Sequence, residues 1–265
     1  MFKKLLRLCI LAALFVPSQA LAQNNGFDKD IPYRKDVERC ALDVLYNVER
    51  KGDPVIVWFH GGGLVKGNKS IPSGLKGKNC VVVAAGYRLY PGVSVAEIID
   101  DAAAAVAWIV KNISKYGGDP GRIVLSGHSA GAYLVSMLAL DKKYLAKYDV
   151  DPDTFELIAP ISGQMLTHFT ERESRGIDKA RPLIDSLAPL FHIRKDAPPF
   201  FIVTGDRNKE MICRYEENAL FCALMEHVGH APVTHYELQG YGHVDMLPSA
   251  IQLLVNELKL QQVKN

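Results

Sequence analysis

A serine lies between two glycines in the stretch Gly127-His128-Ser129-Ala130-Gly131. The apolar run before it, residues 123–127, predicts a strand, and residues 130–140 predict a helix. We expect the turn between them to need both glycines, because a Cβ atom at 127 or 131 would collide with a neighbouring strand or helix. Such a turn would lift Ser129 Oγ above the sheet at a helix N-terminus, the position of a nucleophile.

A second glycine-rich motif, His60-Gly61-Gly62-Gly63, begins at the last residue of the apolar run 54–60. Without Cβ atoms, this loop can bring backbone N–H groups close to a substrate oxygen. With the N–H of Ala130 they would form an oxyanion hole. The alternatives are a plain glycine-rich turn and a phosphate-binding loop. A phosphate loop should open a helix, whereas residues 64–73 contain Gly67 and Pro72 and show no helical period.

Ser129 needs a base, and the base needs a partner. His243 lies in the loop between a predicted strand at 233–238 and a final helix at 247–260, so it should emerge at the same sheet edge as Ser129. Asp206 ends the strand 200–205 at that edge, and we expect it to hold His243 in the correct tautomer. The other histidines are more typical of structural or surface positions: His60, His128, His168, His192, His227, His230 and His235.

The order of elements around these motifs predicts one α/β domain over residues 40–265. Strands and helices alternate, which indicates a mostly parallel central sheet flanked by helices. Residues 163–198 interrupt this alternation with many charges and predict a small cap inserted over the site. Residues 23–39 are polar and irregular, and predict a leader or linker. The strands are expected at 41–48, 54–60, 79–86, 123–127, 157–161, 200–205 and 233–238, and the helices at 95–115, 130–140, 214–228 and 247–260.

Residues 1–22 have the composition of a secretory signal peptide. Three basic residues precede the apolar run 8–16, and Ala20-Leu21-Ala22 supplies the small residues of a cleavage site after Ala22. A membrane anchor is the alternative, but a span needs about 20 apolar residues. We therefore expect a secreted or periplasmic protein without a stable membrane anchor.

The charge balance and the cysteines exclude several other classes. Removing residues 1–22 takes away Lys3, Lys4 and Arg7 and no acidic residue, so the formal charge changes from +2 to −1. Such a chain has no basic excess for nucleic acid. Export would permit a disulfide among Cys40, Cys80, Cys213 and Cys222, but we expect buried free thiols for most of them. No CxxC or HExxH spacing suggests a metal, and no cofactor is predicted.

The motifs as a set resemble the α/β-hydrolase carboxylesterases related to hormone-sensitive lipase. The closest group is the bacterial feruloyl or acetyl-xylan esterase-like (BD-FAE-like) subgroup. The resemblance covers about residues 40–262 and implies oxyanion donors at Gly62 and Gly63, beside the acid Asp206 and the base His243. Leu64 and Tyr90-Pro91-Gly92 depart from the family pattern where they would affect the size of the acyl pocket. The matching motifs are HGGG at 60–63, Tyr87-Arg88-Leu89, Tyr116-Gly117-Gly118-Asp119-Pro120 and GHSAG at 127–131.

The resemblance implies a serine esterase that hydrolyses short-chain acyl esters through an acyl-enzyme on Ser129, and the predicted signal peptide implies that it is exported. Its substrate would be a small-molecule or carbohydrate ester, with acetyl or feruloyl groups as the expected acyl parts. One alternative is an arylformamidase-type amide hydrolase. The metabolite substrates of such enzymes are usually cytoplasmic, so the predicted signal peptide argues against this alternative. Another is a catalytically dead binding protein of the same fold, but such proteins lose a member of the triad.

Overall fold

The structure is a computed structural model and describes residues 25–230 and 233–262. Within these residues, eight strands form one sheet in the order β1-β2-β4-β3-β5-β6-β7-β8. The strands β1 and β2 run antiparallel at one edge, and the other six are parallel. The strands are β1 (Asn25–Pro32), β2 (Ala41–Asn47), β3 (Asp53–Phe59), β4 (Val81–Ala85), β5 (Gly118–His128), β6 (Leu157–Ile161), β7 (Phe200–Gly205) and β8 (Val233–Leu238).

Helices cover both faces of this sheet, as the strand–helix alternation predicts. On one face, α1, α2 and α5 contribute side chains to a core cluster with β3 and β5. On the other face, α6 packs against alternate residues of the same strands. The fold class predicted from the sequence is therefore confirmed. The helices are α1 (Val95–Asn112), α2 (Ala130–Leu140), α3 (Lys143–Ala146), α4 (Phe169–Ser174), α5 (Arg214–His227) and α6 (Leu247–Glu257).

The predicted leader at 23–39 is wrong for residues 25–32, which form β1. This strand pairs antiparallel with β2, from Asn25 opposite Asn47 to Pro32 opposite Ala41. It lies at the edge of the sheet and most of its side chains are exposed. An edge strand contributes backbone hydrogen bonds and little core, so its polar sequence resembles a linker.

Other boundaries differ from the prediction by a few residues. The strand expected at 123–127 begins at Gly118, and the last turn of the helix expected at 95–115 is a 3-10 segment, Ile113–Tyr116. The predicted signal peptide, residues 1–22, lies outside the described residues. In the described part of the chain, no helix is both long and apolar enough to cross a membrane.

The four cysteines that the structure describes are all free thiols. Cys40 and Cys80 are buried, as expected for free thiols in a core. Cys213 is exposed and Cys222 is half-buried. For these two, the expectation of a buried thiol is not met, because Cys213 immediately precedes α5 and Cys222 lies on its partly exposed face.

Candidate active site

Ser129 lies in the sharp turn between β5 and α2. Its backbone φ of 55° and ψ of −114° is a strained conformation for a residue with a side chain. A Cβ atom on Gly127 would lie 2.6 Å from the Gly131 carbonyl carbon, and one on Gly131 would lie 2.0 Å from the Phe59 oxygen. The expected collisions are confirmed. The two glycines allow β3, β5 and α2 to meet closely enough to form the turn.

Four consecutive parallel strands each deliver one polar residue to this edge of the sheet. Ser129 follows β5, Ser162 follows β6, Glu210 lies five residues after β7, and His243 lies in the loop after β8. The strands β5, β6, β7 and β8 are neighbours in that order, so their carboxyl ends bring the four residues together.

His243 connects the serine to a carboxylate. Its Nε2 atom lies 2.9 Å from Ser129 Oγ, and its Nδ1 atom lies 2.9 Å from Glu210 Oε2. With the proton on Nδ1 donated to Glu210, Nε2 is left to accept the hydroxyl proton of Ser129. The structure thus brings the predicted nucleophile and base within hydrogen-bond distance of each other.

The prediction that Asp206 is the partner of His243 is corrected by the structure. The Asp206 carboxylate accepts the backbone N–H of Asn208 and that of Gly240, each at 2.9 Å. Its own backbone N–H donates to the carbonyl of Tyr241 at 2.8 Å. Asp206 therefore ties the loop after β7 to the loop that carries His243, while Glu210 contacts the imidazole.

A tight turn after β7 explains why Glu210 reaches the imidazole. The backbone N–H groups of Lys209 and Glu210 both donate to the Asp206 carbonyl, at 2.8 and 2.9 Å, which turns the chain back over the strand end. The N–H of Gly205 then donates to Glu210 Oε1 at 3.0 Å. A Cβ atom on Gly205 would lie 3.1 Å from Glu210 Cγ, so Gly205 makes room for the carboxylate.

Ser162 completes the environment of this carboxylate. Its hydroxyl donates to Glu210 Oε1 at 2.7 Å and lies 2.8 Å from His243 Nδ1. Burial alone would raise the pKa of Glu210, but the hydrogen bonds from His243, Ser162 and the Gly205 N–H outweigh it and lower that pKa to about 2. Glu210 is therefore ionised at neutral pH and can stabilise a protonated His243.

His128 supports the loop of the base, a role that its sequence position did not reveal. Its Nε2 donates to the backbone carbonyl of His243 at 2.7 Å, and the two rings lie 4.7 Å apart. Burial, followed by the nearby charge of His243, lowers the pKa of His128 to about 4. A neutral His128 with its proton on Nε2 holds the His243 backbone in place.

The glycine-rich loop after β3 lies directly beside Ser129. A Cβ atom on Gly61 would lie 3.3 Å from Ser129 Cβ. The His60 ring anchors the loop by stacking on Tyr87 at 4.3 Å, and the Tyr87 hydroxyl donates to the His60 carbonyl at 2.7 Å. Burial lowers the pKa of His60 to about 4, so this anchor is an uncharged one.

The predicted oxyanion residues belong to the glycine-rich loop, whose Gly61 lies beside Ser129, and to the first turn of α2. Gly62, Gly63 and Leu64 have φ values of 117°, 65° and 63°, and this left-handed run turns the loop around Ser129. Ala130 is the first residue of α2, where backbone N–H groups have no partner within the helix. Donation of hydrogen bonds by Gly62, Gly63 and Ala130 to a substrate oxygen stays a prediction.

The segment between β6 and β7, predicted as a cap, contacts the glycine-rich loop. The hydroxyl of Thr170 in α4 donates to the Gly63 carbonyl at 2.6 Å. The neighbouring Phe169 ring packs so closely that a Cβ atom on Gly63 would lie 3.0 Å from it. Among the described residues, no group of three or more His, Cys, Asp or Glu side chains is placed to hold a metal ion.

Comparison with known proteins finds one matching family model and several related esterases. The BD-FAE family model matches residues 42–157. The esterase LipC of Mycobacterium tuberculosis is 28% identical over 240 residues, covering 83% of this chain and 58% of that protein. The probable carboxylic ester hydrolase LipM of the same organism is 29% identical over 251 residues, covering 84% and 57%. The chain thus spans less than two thirds of the length of these curated relatives.

Solved structures agree with this fold. A truncated carbohydrate esterase from gut microbiota matches with a TM-score of 0.74 and 17% identity, covering 91% of this chain and 97% of that one. A thermophilic esterase of Thermogutta terrifontis, with butyrate bound, matches with a TM-score of 0.70 and 21% identity, covering 88% and 94%.

The sheet order, the strained serine and its histidine and glutamate define an α/β-hydrolase. Within that class, the segment that matches the BD-FAE family model contains both the glycine-rich loop and the GHSAG turn. The resemblance that the motifs indicated is confirmed at this level.

Proposed function

We propose that this protein is a serine esterase, a carboxylic ester hydrolase that works without a cofactor. The observation that carries the proposal is the chain of contacts from Ser129 Oγ through both nitrogens of His243 to Glu210, with 2.9 Å at each step. Geometry of this kind activates a hydroxyl that is otherwise a weak nucleophile. The named esterases and carboxylic ester hydrolases among its relatives support the same reaction.

In the first half of the reaction, His243 Nε2 accepts the Ser129 proton while Oγ attacks the ester carbonyl carbon. Negative charge develops on the carbonyl oxygen, where the N–H groups of Gly62, Gly63 and Ala130 stabilise it. Glu210 stabilises the imidazolium without taking its proton. The tetrahedral intermediate then collapses, and His243 gives the proton to the departing alcohol oxygen, which leaves an acyl-enzyme on Ser129.

In the second half, water replaces the alcohol. His243 removes a proton from the water as it attacks the acyl carbon, and returns this proton to Ser129 Oγ as the carboxylic acid leaves. One water is consumed, and one acid and one alcohol are released.

The substrates that we propose are esters of short acyl chains, with acetyl or feruloyl groups on carbohydrate as the specific candidates. Two observations support short acyl chains: the described structural neighbours include one esterase with butyrate and with propionate bound, and α4 packs directly on the glycine-rich loop. The gut carbohydrate esterase with the same fold supports a carbohydrate alcohol.

The acyl preference is tested with 4-nitrophenyl esters of increasing chain length at pH 8. We expect kcat/KM for the acetyl or butyryl ester to exceed that for the octanoyl ester by about tenfold or more, which corresponds to roughly 1.4 kcal/mol. The physical reason is the close packing of Phe169 and Thr170 on Gly63, which limits the space beside Ser129. A preference for decanoate would overturn the short-chain proposal, and methyl ferulate in the same assay tests the feruloyl candidate.

We also propose that the protein is exported, on the support of the basic, apolar and small-residue order of residues 1–22. In a bacterial host, the protein recovered from the periplasm or medium is expected to begin at Gln23. N-terminal sequencing and intact mass measure this. A full-length chain retained in the membrane fraction would contradict the proposal and favour an anchor.

A further inference from the structure

A cavity of about 330 Å³ lies between the cap segment and the start of α5. An adjoining hollow of about 200 Å³ shares four of its lining residues, and we call the two together the cap cavity. Its walls are partly apolar, and three basic and three acidic side chains also line it: Arg172, Lys179, Arg214, Glu173, Glu216 and Glu217. The lining of the cap cavity includes Gln164, Phe169, Arg172, Lys179, Met211 and Ile212.

The cap cavity lies next to the site, because three of its lining residues contact the glycine-rich loop, Glu210 and Ser162. Phe169 packs against Gly63 of the glycine-rich loop. The backbone N–H of Met211 donates to Glu210 Oε2 at 3.0 Å. The guanidinium of Arg214 donates to the carbonyl of Ser162, whose hydroxyl contacts His243. Neither Ser129 nor His243 lines the cavity, which begins where Phe169, Met211 and Arg214 contact the residues around them.

Arg172 is a buried cation in this cavity that lacks an anion. It is 3% exposed. In the part of the chain that the structure describes, it has no carboxylate within 4.0 Å, and its Nε has no hydrogen-bond partner. Its Nη1 donates only to the carbonyl of Arg181. Burial lowers the pKa of Arg172, although the negative charges of Glu217 and Glu173 act in the opposite direction, and a buried charge without an ion-pair contact is costly.

Arg214 provides an internal comparison. It lines the same cavity and is also 3% exposed, but its Nε pairs with Glu217 at 2.9 Å. Glu217 is in turn satisfied by the backbone N–H groups of Met165 and Leu166. The chain thus neutralises one buried arginine of the cavity and leaves the other unpaired. Glu173 lies on the same wall, but its carboxylate is not within 4.0 Å of Arg172.

We propose that Arg172, assisted by Lys179, binds a carboxylate group of the substrate. This inference rests on the proposed esterase function and names its substrate class: esters that carry a negative charge at a short distance from the scissile bond. Phe169, Met211 and Ile212 contact the apolar spacer between the two groups. A guanidinium and a carboxylate form a strong charge-assisted pair, and a substrate carboxylate would give Arg172 the ion-pair contact that it lacks.

The carboxylate can belong to the acyl part or to the alcohol, and two matched ester pairs distinguish these sources. For the acyl part, 4-nitrophenyl hydrogen glutarate is compared with 4-nitrophenyl valerate. For the alcohol part, 4-acetoxybenzoate is compared with its methyl ester. The measured quantity is the ratio of kcat/KM for the charged ester to that for its neutral partner, after subtraction of spontaneous hydrolysis.

We expect the wild-type protein to show a ratio of about ten or more for one of the pairs. In Arg172→Gln that ratio should fall to near one, and in Arg172→Lys and Lys179→Gln to intermediate values. Arg175→Gln is the matched control: this arginine lies at the end of α4, is paired with Glu171 and Asp185, and does not line the cavity. Its ratio should equal that of the wild type.

The outcomes separate this inference from the proposed function. Wild-type ratios at or below one for both pairs, with the neutral esters hydrolysed, would overturn the carboxylate site and leave the esterase intact. A wild-type preference that survives in Arg172→Gln would assign the site elsewhere and also overturn the inference. Failure to hydrolyse any of the four esters would overturn the esterase proposal and this inference with it. A thermal melt of each variant checks folding, and Lys179→Gln keeps the test open if Arg172→Gln does not fold.

Discussion

Replacement of Ser129 by alanine is expected to lower kcat/KM for 4-nitrophenyl acetate by on the order of 10⁴-fold or more, since members of a triad act as a unit. In the proposed reaction Ser129 Oγ attacks the ester and carries the acyl group, and among the described residues it is the hydroxyl that lies within hydrogen-bond distance of His243 Nε2, at 2.9 Å. The remaining rate would come from the oxyanion donors and substrate binding.

A matched control exists in the same helix. Ser136 is also buried on α2, and its hydroxyl bonds only to the carbonyl of Ala132, one turn back. Ser136→Ala should keep kcat/KM within about twofold of the wild type. Both variants should have melting temperatures close to that of the wild type, since the loss of one hydroxyl hydrogen bond costs about 1 kcal/mol of stability. Retention of more than a tenth of the wild-type kcat/KM in Ser129→Ala would remove Ser129 from the mechanism.

The sequence predicts those parts of the fold and site where backbone geometry leaves few choices. Gly127 and Gly131 mark the turn of Ser129, because no residue with a Cβ atom fits between β3, β5 and α2. The position of His243 follows from the order of strands, since a loop after the last parallel strand must open at the same edge. Both predictions depend on the main chain alone.

The prediction is wrong at two places, where the structure depends on how far a side chain reaches or where a strand has few apolar residues. The edge strand β1 has few apolar residues, so its sequence does not differ from that of a linker. The sequence predicts Asp206 as the acid because it directly follows β7. A carboxylate at a strand end can instead accept hydrogen bonds from nearby loop residues, as Asp206 does from Asn208 and Gly240. A glutamate in the same loop, with Gly205 clearing space for it, is the signal that indicates Glu210.

Because Glu210 and not Asp206 contacts His243, substitutions of the two acids should have very different effects on catalysis. Glu210→Gln is expected to lower kcat by about 10³- to 10⁴-fold, because the amide lacks the charge that stabilises the His243 imidazolium and can favour the wrong tautomer. Asp206→Asn should lower kcat by no more than about tenfold, because the Asp206 carboxylate reaches the His243 loop through Gly240 and the backbone contact of Asp206 with Tyr241 is kept. Steady-state kinetics on 4-nitrophenyl acetate at pH 8 measure both. A larger loss in Asp206→Asn than in Glu210→Gln would contradict the assignment.

The Glu210→Gln variant should also differ from the wild type in how its stability depends on acidic pH. Because the pKa of Glu210 is lowered from 4.5 to about 2, its ionised carboxylate stabilises the folded state above pH 4.5, by on the order of 3 kcal/mol. That contribution is lost as the pH falls through 4.5 towards 2, where Glu210 is protonated in both states. Glu210→Gln lacks the contribution at every pH, so the difference in unfolding free energy between wild type and variant should narrow over this range. Urea unfolding at several pH values measures it. A difference that stays constant from pH 7 to pH 2 would mean that the fully buried Glu210 side chain is not held as the anion that the mechanism needs.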